Sequence, residues 1–197
     1  MNGTIQAHNE RAAAVWSAGG QDYDAISRGI ADAIEHSVLR LNPQPGERIL
    51  DLSTGTGWTS RVVARRGAIV TGVDIADGLL EAARARAKAE TLPIDYQRGD
   101  AESLPFADGQ FDAVVSTFGI MFASRQEAAA AELARVCRKG GRIALTTWLS
   151  DGNLFKMFQV MKAYMPPPPS PPPPCPPSRP SSMVSSLRNG RSTTSVV

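Results

Sequence analysis

Cysteine and histidine are nearly absent, with two of each in 197 residues. Cys137 and Cys175 share no metal-ligand spacing and suggest no disulfide framework, so neither a metal site nor an oxidised scaffold is expected. Long apolar runs are missing as well. No stretch approaches the ~18 uninterrupted apolar residues of a membrane helix, and Met1 to Arg11 holds no hydrophobic signal core. These absences predict a cytoplasmic chain without a membrane span. A dominant charge is also lacking. The net charge is +2, with 16 basic against 18 acidic residues over positions 1–150 and five against one beyond. Such a core has no field to draw nucleic acid or an anionic membrane, and neither is expected as a partner. The short basic clusters Arg61, Arg65, Arg66 and Arg138, Lys139 read as solvated helix ends.

What remains is an ordinary globular balance: 42% hydrophobic and 20% charged residues, in a length that suits one domain with a sizeable core. Residues 1–45 read as a helical cover, with Ile26, Ile30, Ile34, Val38 and Leu41 at helical spacing between Asp22 and Leu41. Pro43, Pro45 and Gly46 end that segment. Over residues 46–150 short β-like runs alternate with amphipathic stretches. Strands are predicted at 48–52, 68–73, 94–98, 111–117 and 142–148. Helices are predicted at 58–66, at 77–89 with Asp77 as cap, and at 124–137 with Ser124 as cap and Lys139-Gly140-Gly141 as terminator. This alternation predicts an α/β fold, a doubly wound, mostly parallel sheet with helices on both faces.

The first predicted strand runs into Ser53-Thr54-Gly55-Thr56-Gly57 and then a helix. Glycine tolerates positive φ and has no Cβ, so the chain turns sharply and a ligand can approach the backbone. The helix start offers unpaired N–H groups and a positive dipole end. Taken alone, Gly55 and Gly57 are equally a tight β–α connection. Asp74 lies 23 residues after Asp51, at the end of the second strand, where a carboxylate can accept from ribose hydroxyls. In isolation it is also an ordinary turn acid. A dinucleotide loop wants G-x-G-x-x-G/A, but Ser60 stands where the third small residue belongs, and Asp51 would oppose a pyrophosphate. No Gly-Lys-Ser/Thr follows, which argues against a phosphate loop. An acid here suits a cationic ligand without phosphate.

With these residues in place, the chain resembles the class I S-adenosylmethionine-dependent methyltransferases, in particular their bacterial small-molecule and quinone-type branch. The run Ile49-Leu50-Asp51-Leu52-Ser53-Thr54-Gly55-Thr56-Gly57 resembles the family's first motif, acid-x-Gly-x-Gly-x-Gly, with Ser53 replacing the first glycine. Val73-Asp74-Ile75 resembles the second motif, and Gly99-Asp100-Ala101-Glu102-Ser103-Leu104-Pro105-Phe106 the third. Phe111-Asp112-Ala113-Val114, Ser116-Thr117-Phe118-Gly119 and Arg138-Lys139-Gly140-Gly141-Arg142 follow in the family's order, so the resemblance spans residues 10–165. It implies a Rossmann-like core and S-adenosyl-L-methionine as cofactor. It also implies cofactor contacts from Asp51, Ser53, Gly55 and Gly57, from Asp74 and Ile75, from Asp100, Ala101 and Glu102, and from Phe118.

The reaction implied is in-line transfer of a methyl group to an O, N, C or S atom of a small-molecule acceptor. A sulfonium is already an activated leaving group, so the protein mainly supplies proximity and alignment. A base is needed only where the acceptor must lose a proton. His36 reads as a surface or packing residue, His8 lies in the cover, and Asp108 and Asp112 read as structural, so no catalytic residue is assigned. Trp16 and Tyr23 either cover the cofactor or simply pack on the sheet.

The pattern changes beyond Gly152. No Asp or Glu follows it, and eleven of the fifteen prolines fall between Pro166 and Pro180. A helix is predicted over 151–165 and a Pro/Ser/Arg-rich disordered tail over 166–197. Three readings of this tail stand: a PxxP ligand for an aromatic groove, a truncation, or a reading-frame shift. Truncation or frameshift is the expectation, because the family it resembles continues with two further strands. The last strands are then missing and the fifth strand is left as an exposed edge. The alternative function that follows is a non-catalytic S-adenosylmethionine-binding remnant without an acceptor pocket. A nicotinamide-dependent oxidoreductase is disfavoured by Ser60 and Asp51.

Overall fold

Five short runs, most of them rich in aliphatic and β-branched residues, become strands in the computed structural model, which describes residues 3–149 and 151–161. They are β1 (Arg48–Leu52), β2 (Ile69–Asp74), β3 (Asp95–Arg98), β4 (Phe111–Thr117) and β5 (Cys137–Thr146). The sheet order is β3-β2-β1-β4-β5, and every neighbouring pair is parallel. Strand order therefore reverses at β1, whose carboxyl end opens between those of β2 and β4. In open α/β sheets that crevice is where ligands sit.

Alternation along the strands builds two layers. Ile49, Val70, Ala113 and Val115 point to one face, where they pack with Val38 and Leu41 of α3 (Ala31–Leu41) and Val63 of α4 (Trp58–Ala64). Leu50, Leu52, Val73 and Val114 point to the other, against Ala129, Leu133 and Val136 of α6 (Gln126–Val136). Tyr96 of β3 packs with Leu80, Ala83 and Ala87 of α5 (Asp77–Ala89). A period of two in the strands thus meets a period of 3.6 in the helices on both sides. Ahead of the sheet lie α1 (Glu10–Ser17) and α2 (Asp24–Gly29), and after it α7 (Asn153–Met161). No described helix is long and apolar enough to cross a membrane. Among the described residues nothing pairs with the outer edge of β5. The proposed tail over 166–197 lies outside the described residues, as does the end of the helix expected to reach 165.

Several local expectations are corrected. The helix expected from Asp22 to Leu41 breaks at Ile30, which has φ −121° and ψ 19°. The break turns Ile26 outward, 57% exposed, while Ile34, Val38 and Leu41 stay in the core. Its cause is polar: Asp24 of α2 is buried against the Thr56 hydroxyl (3.0 Å) and Arg86 (2.9 Å), so α2 packs on its acidic side. Asp77 does not cap α5. It is the first helical residue and pairs with Arg98 at 3.2 Å, while Ser17 Oγ accepts from the Gly78 N–H (2.7 Å) in place of a local cap. Ser124 does not cap α6 either, because its hydroxyl is given to Asn9. Lys139-Gly140-Gly141 does not end α6, which stops at Val136. Those residues form an irregularity within β5, between the pairs Phe111–Cys137 and Ala113–Arg142. Arg61 is not a solvated helix end. It is 5% exposed, donates to Thr56 O at 2.8 Å, and is neutralised by Glu90 at 3.0 Å and Asp24 at 3.9 Å.

Candidate functional site

The loop after β1 is held in left-handed backbone at three points: Ser53 (φ 57°), Gly55 (φ 56°) and Gly57 (φ 75°). Thr54 N–H donates to Val73 O and Gly57 N–H to Thr54 O, both at 2.9 Å, which closes a tight arch. Asp51 lies beneath that arch and is fully buried. Its Oδ2 accepts the Thr54 and Ser60 hydroxyls, each at 2.6 Å, while Oδ1 has no hydrogen-bond partner among the described residues. Burial pushes this carboxyl up to about 6, against the opposing pull of the two hydroxyls. Gly57 serves packing from below: a Cβ there would overlap the Tyr96 ring. Gly72 makes the matching space within β2, where a Cβ would come 2.6 Å from the same ring.

Asp74 ends β2 with its carboxylate turned back on the loop. Its Oδ2 accepts from Gly55 N–H (2.8 Å) and its Oδ1 from Ala76 N–H (3.0 Å). The Ile75 amide also draws on this carboxylate, so of its about four acceptor positions roughly one stays open. Burial raises its carboxyl, with the Gly55 and Ala76 amides pulling the other way. Tyr23 stands opposite, its phenol raised by burial and then by Asp74, and edge-on to Trp16 with ring centroids 5.9 Å apart.

Asp100, buried after β3, is more heavily used. Oδ1 accepts from Glu102 N–H, and Oδ2 from both Gln6 N–H and the Asn9 side-chain amide, all at 3.0 Å. Glu102 accepts from Arg125 N–H at 2.8 Å and pairs with His8 Nε2 at 2.8 Å. Together with the Gly3 N–H to Arg98 O bond (2.8 Å), these links lay the first residues across the third motif.

The resulting cleft, about 990 Å³ including its open mouth, gathers eight of the ten expected residues: Ser53, Gly55, Asp74, Ile75, Asp100, Ala101, Glu102 and Phe118. Asp51 and Gly57 are not among its lining; they stand behind the loop and shape it. Trp16 and Tyr23 do line it, as do Thr59 and Thr117, whose hydroxyls meet at 2.6 Å. Phe118 has φ 57° and stacks on Trp148 with centroids 4.2 Å apart. Neither histidine lines the cleft. The contribution that local sequence patterns do not reveal is Asn9, which lines the cleft from the far end of the chain.

Fold and site define the class: an open α/β protein with a ligand cleft at its strand-order switch, lined by acids and built on a glycine-containing arch. Residues 50–145 match the family described as a methyltransferase domain. Those residues form a domain of the class I S-adenosylmethionine-dependent methyltransferase type. It is 39% identical over 153 residues to an uncharacterised protein of Mycobacterium tuberculosis, covering 77% of this chain and 55% of that one. It is 33% identical to the demethylmenaquinone methyltransferase of Corynebacterium kroppenstedtii, over 72% of this chain and 62% of the relative. A SAM-dependent methyltransferase from Aquifex aeolicus superposes with a TM-score of 0.56 at 15% identity, over 66% of this chain and 77% of that one, and shares its fold. The chain spans little more than half the length of the two relatives.

Proposed function

We propose that this chain binds S-adenosylmethionine in the cleft and transfers its methyl group to a small-molecule acceptor. The observation that carries this reading is electrostatic. The lining presents Asp74, Asp100 and Glu102 and, among the described residues, no Lys, Arg or His. A phosphate-bearing nucleotide would enter that field against repulsion, whereas a ligand with an ammonium and a sulfonium is drawn in.

The donor and acceptor sets fit the cofactor. Asp74 keeps an open acceptor position, matching a ribose hydroxyl. Asp100 keeps one, matching an amino N–H of adenine. Ile75 and Ala101 lie beside these acids, and the arch at Ser53 and Gly55 offers close backbone approach to the methionine end, near Phe118. Bound there, the cofactor would supply a methyl carbon activated by its sulfonium, open to in-line attack. The chain's own part is to bind, orient and exclude water. No base is assigned, which suits an acceptor atom that is already nucleophilic or ionised.

Calorimetric titration with S-adenosylhomocysteine and with NAD tests the binding step. The homocysteine compound should bind, NAD should not, and Asp74→Asn should weaken binding by at least ~10-fold, as expected when a ribose loses a charged acceptor. Tighter binding of NAD would overturn the reading. Methyl transfer is assayed with isotopically labelled cofactor. Demethylmenaquinone, named in the Corynebacterium relative, is the acceptor to try first.

A further inference from the structure

We propose that Asn9 is a positioning residue for cofactor recognition: it fixes the Asp100 carboxylate so that one acceptor position faces a donor on the ligand's base. The inference rests on the S-adenosylmethionine reading above and adds to it a residue from outside the sheet.

Asn9 is buried, lines the cleft, and joins two segments that lie far along the chain. Its Nδ2 donates to Asp100 Oδ2 at 3.0 Å, and its Oδ1 accepts the Ser124 hydroxyl at 2.6 Å. The orientation is chemically determined, since a carboxylate accepts and only the amide nitrogen can give it a hydrogen. Gln6 N–H occupies the same Oδ2, and Glu102 N–H takes one position on Oδ1. Three of about four acceptor positions are therefore filled from the protein, and the remaining one is on Oδ1. Such a group is a filter. It welcomes a single N–H donor, such as the 6-amino group of adenine, and opposes a carbonyl at the same place. Ser124 holds the Asn9 amide by its oxygen, so the filter depends on the loop ahead of α6 as well as on β3.

Loss of Asn9 frees Oδ2 to turn toward the ligand or toward water, and a carboxylate with two open positions discriminates less. The test is equilibrium binding of S-adenosylhomocysteine and of its inosyl counterpart, in which the 6-amino group is a carbonyl. The parent should prefer the adenosyl compound by at least ~10-fold, because a site built to accept a hydrogen bond rejects a partner lacking the donor. Asn9→Ala should cut that preference several-fold, and Ser124→Ala should cut it less. Gln6→Pro is the second variant. Gln6 has φ −64°, which proline adopts, so this change removes one N–H from Oδ2 without altering Asn9. It too should lower the preference.

A purely structural role would weaken both ligands alike and leave their ratio intact. That result in both Asn9→Ala and Gln6→Pro overturns the proposal. So does a parent that binds the two compounds equally well. A parent that binds neither refutes the cofactor reading itself, and this inference with it.

Discussion

Gly119 passes so close to Ser53 that a Cβ on it would overlap the Ser53 Cβ and come within 2.9 Å of the Ser53 carbonyl. The two residues follow β1 and β4, neighbouring strands, and Ser53 and Phe118 both adopt φ 57° there. Left-handed backbone at a side-chain-bearing residue is costly and collects at ligand sites. Gly119→Ala should therefore lower stability by about 2 kcal/mol through overpacking. Ser53→Gly should be neutral to mildly stabilising, within about 1 kcal/mol, because relief of the left-handed penalty is offset by a more flexible unfolded chain. The double variant should recover part of the Gly119→Ala loss. Chemical denaturation of the four proteins measures the coupling, and strict additivity would speak against the contact.

The Tyr96 ring fills the room that Gly57 and Gly72 leave. Gly57→Ala adds a methyl against that ring at a residue with φ 75°. A loss of about 2–4 kcal/mol is expected from strain and overlap together. Thermal unfolding reads it directly, and a loss below about 1 kcal/mol would contradict the packing described.

Asp51 makes stability depend on pH with a definite sign. Its carboxyl stands at about 6 when folded against the ordinary 3.8, so the folded chain holds this proton more tightly than the unfolded one. The contribution favours folding below about pH 4 and is lost as pH rises through about 6, a swing on the order of 3 kcal/mol. Asp51→Asn removes the titration. Its melting temperature relative to the parent should climb between pH 4.5 and 7.5. A difference that stays flat, or falls, would show that Asp51 is not the group responsible.

Arg135 ties the end of the third motif to α6. It forks onto Glu132 with two bonds of 2.7 Å and donates to Phe106 O at 2.6 Å and Leu104 O at 3.0 Å. Glu132 in turn accepts from Leu104 N–H at 2.7 Å. Arg135→Ala should cost about 2 kcal/mol, and Arg135→Lys should recover little, since an ammonium lacks the planar fork. Urea midpoints of the two variants decide it; near-parental behaviour of the lysine variant would count against the fork.

Much of this was legible from local pattern. β1, β4 and α5 follow from strand alternation and helix-forming runs, Gly55 and Asp74 from the ends of strands whose limits the pattern shows, and Asp100 from the resemblance of its motif. What escaped were residues whose roles depend on distant partners. Ser17 supplies the cap that Asp77 seemed to carry, Arg61 is drawn inward by Asp24 and Glu90, and Ser124 is diverted from its helix by Asn9. Ile26 has the right spacing for a core residue, yet one buried acid two positions earlier turns it out. Periodicity reports the neighbours a residue has along its own element, and these side chains answer to others.

The clasp at Asn9 also has a history in time. Its partners lie 91 and 115 residues further along. At a synthesis rate of about 5–20 residues per second, Asn9 would wait roughly 6–23 s for Ser124 to be made. For that interval the cover is held only by earlier links, such as Asp24 to Thr56 and Arg86 and Ser17 to Gly78. Phe122, which packs on Trp16 with ring centroids 5.1 Å apart, is made almost equally late, so the newborn chain carries that face of Trp16 bare until the clasp can close.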